Sequence, residues 1–450
     1  MKTNRRLAVG LFTLVTISAF EATAVITALP TITDELGGDA LYGATLAANL
    51  LANIIVIVAA ADASDRLGPG RPFLVCASLF VIGLVVAGTA NGMLIVVAGR
   101  VLQGAGVGGF AAIAYVAVRR AVPAERQPVM YAWLSAGWVL PSLLAPALAG
   151  WVTDQFGWRW VFLGIIPLVA VAATIVAPPL LALAPSPDAA PRDRRRLVDA
   201  IRTAIGLAAV LGGLAHSSLV VVVLAVGAGI LVAGPAVRHL FPAGVIRARR
   251  GLPAIVACRL CATMAFLGVD SFLPLAADRI HRVSPIAQGM LIIGAALSWT
   301  MGQVVSARLH DKVAPHRLVR TGFGVLIVGI VGASIVVDPD IALPVTFVAW
   351  SVGGLGMGLL FNPTTVTAMG TAVPGEEGLV SSQMNIADSL GFALMGGLGG
   401  AVVAFADRTS VSLSSAILFN MGLALTMATL GFIAARGVVQ TVSAPLAARR

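Results

Sequence analysis

Five ionisable side chains stand inside long apolar runs of this 450-residue chain: Glu21, Arg100, Arg259, Asp270 and Asp388. An ionised group at the bilayer centre costs about 3 kcal/mol on insertion scales, so each such residue needs a reason to be there: proton transfer, ligand binding or a buried polar contact. Glu21 stands nine residues before Pro30, about 14 Å along a helix that rises 1.5 Å per residue. Arg100 follows Met93 by seven residues, about 10 Å along its own helix. Counted from the same membrane face, the two can meet at similar depth. Arg259 and Asp270 share a helix face but stand eleven residues apart, about 16 Å, which is too far to pair directly. Asp388, close to Gln383 and Asn385, is a further carboxylate near mid-membrane. A carboxylate at that depth can take up and release a proton, or can do purely structural work.

The elements that must hold these groups follow from composition. The chain is 58% hydrophobic and only 11% charged, with a mean hydropathy of +0.95. Such a chain cannot cover itself with polar groups, so it is an all-α polytopic membrane protein and not a soluble nucleic-acid binder despite its net charge of +10. Apolar runs near 7–30, 43–61, 72–92, 94–118, 129–152 and 160–180 form a first set of six spans. A Pro-, Ala-, Asp- and Arg-rich segment, Leu181–Arg202, reads as a linker, followed by two runs near 203–215 and 218–237. The last six fall near 252–276, 286–307, 318–337, 341–362, 377–405 and 412–435, making about fourteen in all. The expected domains are therefore 1–180, a six-helix bundle; 181–251, the linker with two extra helices; and 252–450, a second six-helix bundle.

Charge placement orients the spans. With both termini in the cytoplasm, twenty-four of the thirty Lys and Arg residues lie on the cytoplasmic side, four on the other side and two within spans, as the positive-inside rule requires. A twelve-span arrangement keeps the same polarity but leaves the apolar residues of 203–237 without a place. The basic start of the chain (Lys2, Arg5, Arg6) resembles a signal peptide, but Glu21 interrupts the apolar run and the run continues to Pro30, long enough to span. Cys76, Cys258 and Cys261 all lie in apolar runs and read as packing residues rather than a disulfide or metal set. No HExxH, phosphate loop or Ser/His/Asp set is present, so neither an enzyme nor a cofactor is expected. Gly104, Gly106, Gly108 and Gly109 follow no strand and read as helix-packing glycines.

One aqueous loop occurs twice. Asp62-Ala-Ser-Asp65-Arg66-Leu-Gly68-Pro-Gly-Arg71 joins the second and third spans, and Asp311-Lys-Val-Ala-Pro-His-Arg317 joins two later ones. Acid, base, apolar, small, Pro and Arg recur in order, which points to two related halves, a common plan of secondary transporters.

These segments resemble those of the major facilitator superfamily. Asp65, Arg66, Gly68 and Arg71 fit its second-to-third-helix signature, with Ala61 and Gly70 departing from it. Within the superfamily, Glu21 to Pro30 resembles the first helix of the fourteen-span drug:proton antiporters, with Glu21 in place of the usual Asp. Arg100-Val-Leu-Gln103-Gly104-Ala-Gly106 resembles their fourth-helix motif, whose arginine is associated with proton coupling, and Gly378–Gly400 resembles their eleventh core helix, which carries Asn385 and Asp388. The fifth helix departs most: of the antiporter signature only Pro146 and Gly150 match, with Ala132, Pro141, Ala145 and Ala149 elsewhere.

The resemblance implies a major facilitator fold in a plasma (inner) membrane and proton-driven export of small amphipathic compounds from a central cavity by alternating access. Glu21, with Asp270 or Asp388, would exchange the proton. Arg100, Gln103, Arg259 and Asn385 would line the coupling site. The Asp65/Arg66/Arg71 loop, with Asp311 and Arg317 as its second copy, would latch the outward-facing state. Partners are then a small molecule, protons and the bilayer, acting on a monomer. A dedicated metabolite or lipid exporter, an uptake symporter and a non-transporting receptor on the same bundle are the alternatives.

Overall fold

The computed structural model describes residues 2–37, 41–189, 193–216, 218–283 and 285–439. Arg192, Arg449 and Arg450, counted above among the loop charges, lie outside them. The described chain is helical: α1 (Lys2–Leu36), α2 (Tyr42–Leu67), α3 (Gly70–Gly88), α4 (Met93–Ala121), α5 (Gln127–Ala136), α6 (Val139–Phe156), α7 (Arg159–Leu163), α8 (Ile166–Leu181), α9 (Arg194–Leu214) and α10 (Leu219–Leu240). They are followed by α11 (Leu252–Asp270), α12 (Leu273–Arg279), α13 (Pro285–Leu309), α14 (Pro315–Ala333), α15 (Leu343–Thr371), α16 (Glu377–Arg408) and α17 (Leu413–Ala434). Among the described residues, 13 helical stretches are long and apolar enough to cross a membrane.

Several segments differ from the sequence expectation, and the runs 160–180 and 252–276 are each divided into two helices, α7 with α8 and α11 with α12. The run 129–152 is divided into α5 and α6 at Gly137 and Trp138. Pro141 lacks the N–H that would bond the Gly137 carbonyl, so the ladder stops there. The segment 181–202 is not wholly a linker, since α9 already begins at Arg194. The basic start of α9 is amphipathic: Ala200, Asp199 and Thr203 are buried while Arg194, Arg195 and Arg202 are exposed.

The chain forms two compact units. The first holds Met1–Ala208 with Ala372–Asn385, the second Ala209–Thr371 with Ile386–Arg450. In the first, α4 packs against α2 and α3, and α1 against α6 and α8. In the second, α15 packs against α13 and α14, and α11 against α17. The outward faces are apolar: on α10, Leu219, Leu224 and Leu231 are each at least 67% exposed, a surface that water would not tolerate and lipid would.

Glycine sets the spacing in both units. Gly104 and Gly108 of α4 approach the carbonyl oxygens of Asn49 and Asn53 on α2 so closely that a Cβ would collide with them. Gly354 and Gly358 of α15 do the same against Ala295 and Trp299 on α13. On the other side, Gly106 faces Cys76 and Phe80 of α3, and Gly356 faces Gly322 and Leu326 of α14. Small residues therefore let one central helix in each unit lie against two neighbours at once.

Candidate functional site

In the first unit, the polar core forms where α1, α3 and α4 meet. Arg100 Nη1 donates to Glu21 Oε1 across the α1–α4 contact and to Gln103 Oε1 at 2.7 Å. Gln103 Nε2 in turn donates to the Gly83 carbonyl of α3 at 3.2 Å. Gly83 permits this approach, since a Cβ there would stand 2.7 Å from the Gln103 backbone nitrogen and 2.9 Å from its Cγ. Glu21 and Gln103 are fully buried and Arg100 is 3% exposed. The guanidinium thus neutralises a carboxylate that would otherwise be a bare charge in an apolar bundle.

A second network joins the end of α2 to the start of α16. The Gly378 backbone N–H donates to both carboxylate oxygens of Asp65, at 3.0 and 2.9 Å. Arg120 Nη2, at the end of α4, bridges Asp65 Oδ1 and Glu377 Oε2, each at 2.9 Å. Glu377 Oε2 also accepts from the Gly375 N–H at 3.0 Å. Asp65 therefore occupies the N-terminus of a 32-residue helix, where free N–H groups and the helix dipole favour a negative charge. Gly68 ends α2 with a positive φ of 78° and abuts the Leu183 carbonyl, where a side chain would clash. Arg66 pairs locally with Asp62 at 2.7 Å. Arg71, Asp311 and Arg317 are exposed, so the second copy of the loop keeps the sequence pattern without a matching buried network. Asn385 donates from Nδ2 to the Ser381 carbonyl at 2.9 Å, and Ser381 Oγ donates to the Ala112 carbonyl at 3.0 Å.

The second unit holds the other acids. Arg259 grips Asp388 with two parallel hydrogen bonds, Nε to Oδ1 at 2.8 Å and Nη2 to Oδ2 at 2.6 Å. This forked geometry is the strongest common form of a carboxylate contact. The remaining guanidinium nitrogen donates to Thr365 Oγ1 at 2.7 Å and to the Phe361 carbonyl at 3.2 Å, while Thr263 Oγ1 donates to Asp388 Oδ1 at 3.0 Å. The cation also lies 3.2 Å from the Phe361 ring centroid. Asp270 has no such partner. Its Oδ1 accepts from Trp350 Nε1 at 2.9 Å. Trp350 is fully buried and stacks on Phe266, with ring centroids 4.9 Å apart. Phe266 meets Trp299 at 5.0 Å, and Trp299 meets Phe361 at 5.3 Å. An unbroken aromatic ladder thus runs from Asp270 to Arg259.

Of the residues singled out in the sequence, Glu21, Arg100 and Gln103 come together, as do Arg259 and Asp388. Asp270 stands apart from both sets. Arg120, Glu377, Thr263 and Thr365 complete these networks without having been selected. For Arg120 and Glu377 the signal was their place at the ends of apolar runs, Arg119-Arg120 after the fourth span and Glu376-Glu377 before the Gly378 run. Among the described residues, no group of three or more His, Cys, Asp or Glu side chains is arranged to hold a metal.

Comparison with known proteins agrees with this architecture. The Major Facilitator Superfamily profile matches residues 11–396. The chain is 26% identical over 401 residues to a probable multidrug-efflux transporter of Mycobacterium tuberculosis, covering 84% of this chain and 83% of that one. Among solved structures, it is similar to the human organic anion transporter MFSD10, with a TM-score of 0.72 at 14% identity, covering 95% of this chain and 99% of the other. It is likewise similar to the fucose:proton symporter of E. coli, with a TM-score of 0.66 at 13% identity, covering 96% and 98%.

Proposed function

We propose that this chain, which belongs to the major facilitator superfamily, exports small amphipathic compounds across the plasma (inner) membrane in exchange for protons. Members of that family are transporters rather than enzymes, and this is a multi-pass membrane transporter acting on small molecules within the bilayer. Export as the direction is supported by the relative named as a multidrug-efflux transporter, which matches most of both chains. Proton coupling is supported chiefly by one observation: three carboxylates, Glu21, Asp270 and Asp388, are embedded in membrane helices. Groups so costly to insert are kept for function.

The finer arrangement completes this proposal. The broken pair α5 and α6 acts as one further span, giving fourteen, with both termini cytoplasmic and the protein monomeric. The bundles are 1–180 and 252–450, joined by the segment 181–251. Transport proceeds by alternating access. Asp65, held by Gly378 and Arg120, latches the outward-facing state. Both buried arginines, Arg100 and Arg259, are ion-paired, which disfavours an anionic cargo and favours neutral or cationic ones.

A second reading, a dedicated exporter of one metabolite or an uptake symporter, is favoured by the departures along the fifth helix at Ala132, Pro141 and Ala145. Proteoliposomes separate the two. Adding members of a panel of cationic and neutral drugs is expected to release protons in a drug-dependent manner. Silence across the panel, from folded protein that still exchanges a cellular metabolite, selects the dedicated exporter.

A further inference from the structure

The two halves repeat more than a loop. Asp65 and Asp311 are separated by 246 positions, and so are Asn53 and Trp299, and Phe80 and Leu326. The last two pairs are equivalent by packing alone. Asn53 meets Gly108 as Trp299 meets Gly358, and Phe80 meets Gly106 as Leu326 meets the backbone at Gly356. The central helices match with 250 positions between them, Gly104-Ala-Gly106-Val-Gly108 against Gly354-Leu-Gly356-Met-Gly358. Loop sequence and backbone packing thus give one register independently.

That register pairs Arg100 with Trp350, each one turn before the first of its three glycines. Arg100 donates to Glu21 on the first helix of its half. Trp350 donates to Asp270 on the first helix of the other. The same acid-and-donor site is therefore built twice, but the donor is charged in one copy and neutral in the other.

The difference decides what each acid can do. Glu21 is sealed, with no exposed surface, and its loss of charge would strand Arg100 as an isolated buried cation. Asp388 is likewise matched by Arg259. Asp270 faces no unmatched charge from the helices packed on it: on α16, whose Met395 meets Gly268, Asp388 is engaged with Arg259 and the other ionisable residues stand at the two helix ends. Helices α15 and α17 contain no ionisable residue. On α14 the ionisable residues are His316, Arg317 and Arg320, nine or more positions from Gly329, which meets Gly353. On α13 the only one is Arg308, at the far end from Ala295. On α12, Asp278 and Arg279 are exposed and face each other at 3.7 Å. Arg259, on α11 itself, is three turns away and engaged with Asp388. Asp270 is only partly buried, and among the described residues the Trp350 indole is its one hydrogen-bond donor. It also ends α11, because Pro274 lacks the N–H that would bond the Asp270 carbonyl. The acid therefore sits at a break within one membrane span, where a helix most easily changes course.

We propose that Asp270 is the carboxylate that exchanges the transported proton, while Glu21 remains ionised as part of a fixed pair with Arg100. The assignment rests on the proton-antiport reading above. A proton adds to a carboxylate oxygen of Asp270 when that residue is open to one side of the membrane and leaves to the other. No other bond changes.

Two measurements test it. Dicyclohexylcarbodiimide couples to protonated carboxyls in apolar surroundings, so the wild-type protein in native membranes is treated and mapped by mass spectrometry. Modification at Asp270 with Glu21 and Asp388 untouched is expected. Modification of Glu21 or Asp388 with Asp270 untouched overturns the assignment, whatever the substrate. In proteoliposomes with ethidium as the probe, D270N is expected to lose proton release at least tenfold more than it loses proton-independent ethidium counterflow, and D270E to recover release. Equal loss of both in D270N, or full release from D270N, overturns it. Wild-type counterflow without proton release defeats the antiport reading itself, a result distinct from either.

Discussion

The N–H of Gly378 donates to both carboxylate oxygens of Asp65, although 313 positions separate the two residues. The contact unites a loop motif in the first half with the start of α16. Charge-assisted hydrogen bonds of this kind contribute about 1.5–3 kcal/mol each. Asp65→Asn keeps the shape and removes the charge, leaving Arg120 to Glu377 alone. Its expected outcome is a transport rate lowered at least tenfold with surface expression retained, read from ethidium efflux in intact cells. Arg66→Ala, which removes only a half-buried pair within one helix, is expected to cost about 1 kcal/mol of stability or less.

Glu21 and Arg100 predict a double-mutant cycle. Removing one member of a buried pair leaves the other uncompensated, at about 3–5 kcal/mol. Glu21→Gln and Arg100→Gln are each expected to lower the melting temperature of the purified protein sharply. The double variant is expected to melt above the sum of the two losses, since neither charge is then stranded. Strictly additive losses would mean that the pair carries no coupling.

The glycine register predicts matched effects in the two halves. Gly104→Ala and Gly354→Ala both drive a methyl group into a backbone oxygen of the facing helix. Both are expected to destabilise by at least 1–3 kcal/mol, the usual range for overpacking. Gly422, on α17, has open space where its Cβ would be. Gly422→Ala is expected to stabilise by up to about 1 kcal/mol through helix propensity alone. Thermal unfolding of the three variants in one detergent checks the contrast.

Arg259 and Asp388 predict a failure of conservative replacement. Lysine supplies a point charge but not the two parallel donors that Asp388 accepts, nor the flat face over Phe361. Arg259→Lys is expected to lose most of the transport rate while keeping the charge, and Asp388→Asn in that background to restore little.

Much of this was legible before folding. Hydropathy marks almost every span, because a span must be apolar over its whole length. Glu21 and Arg100 stood out because charge in such a run is costly, and depth counting brings them level. The repeated loop was visible because short motifs survive as strings. Other parts were hidden for physical reasons. The break between α5 and α6 depends on whether Pro141 is tolerated by its neighbours, which composition does not reveal. Asp270 and Asp388 look alike in sequence, yet one is held by an arginine and the other by an indole from a distant helix. Arg120 and Glu377 lie at span ends, where charge is ordinary and only tertiary contact makes them a network. The repeated G-x-G-x-G, by contrast, was there to be read. Its meaning emerged once the facing carbonyls fixed the register.

The central claim is that efflux is driven by protons moving the other way. Ethidium uptake into proteoliposomes under an imposed pH gradient tests it most directly. With the lumen acid, the account predicts ethidium accumulation inside the vesicles, abolished by collapsing the gradient and reversed in sign when the gradient is reversed. Accumulation that follows the proton inward, or that is indifferent to the gradient, would contradict antiport.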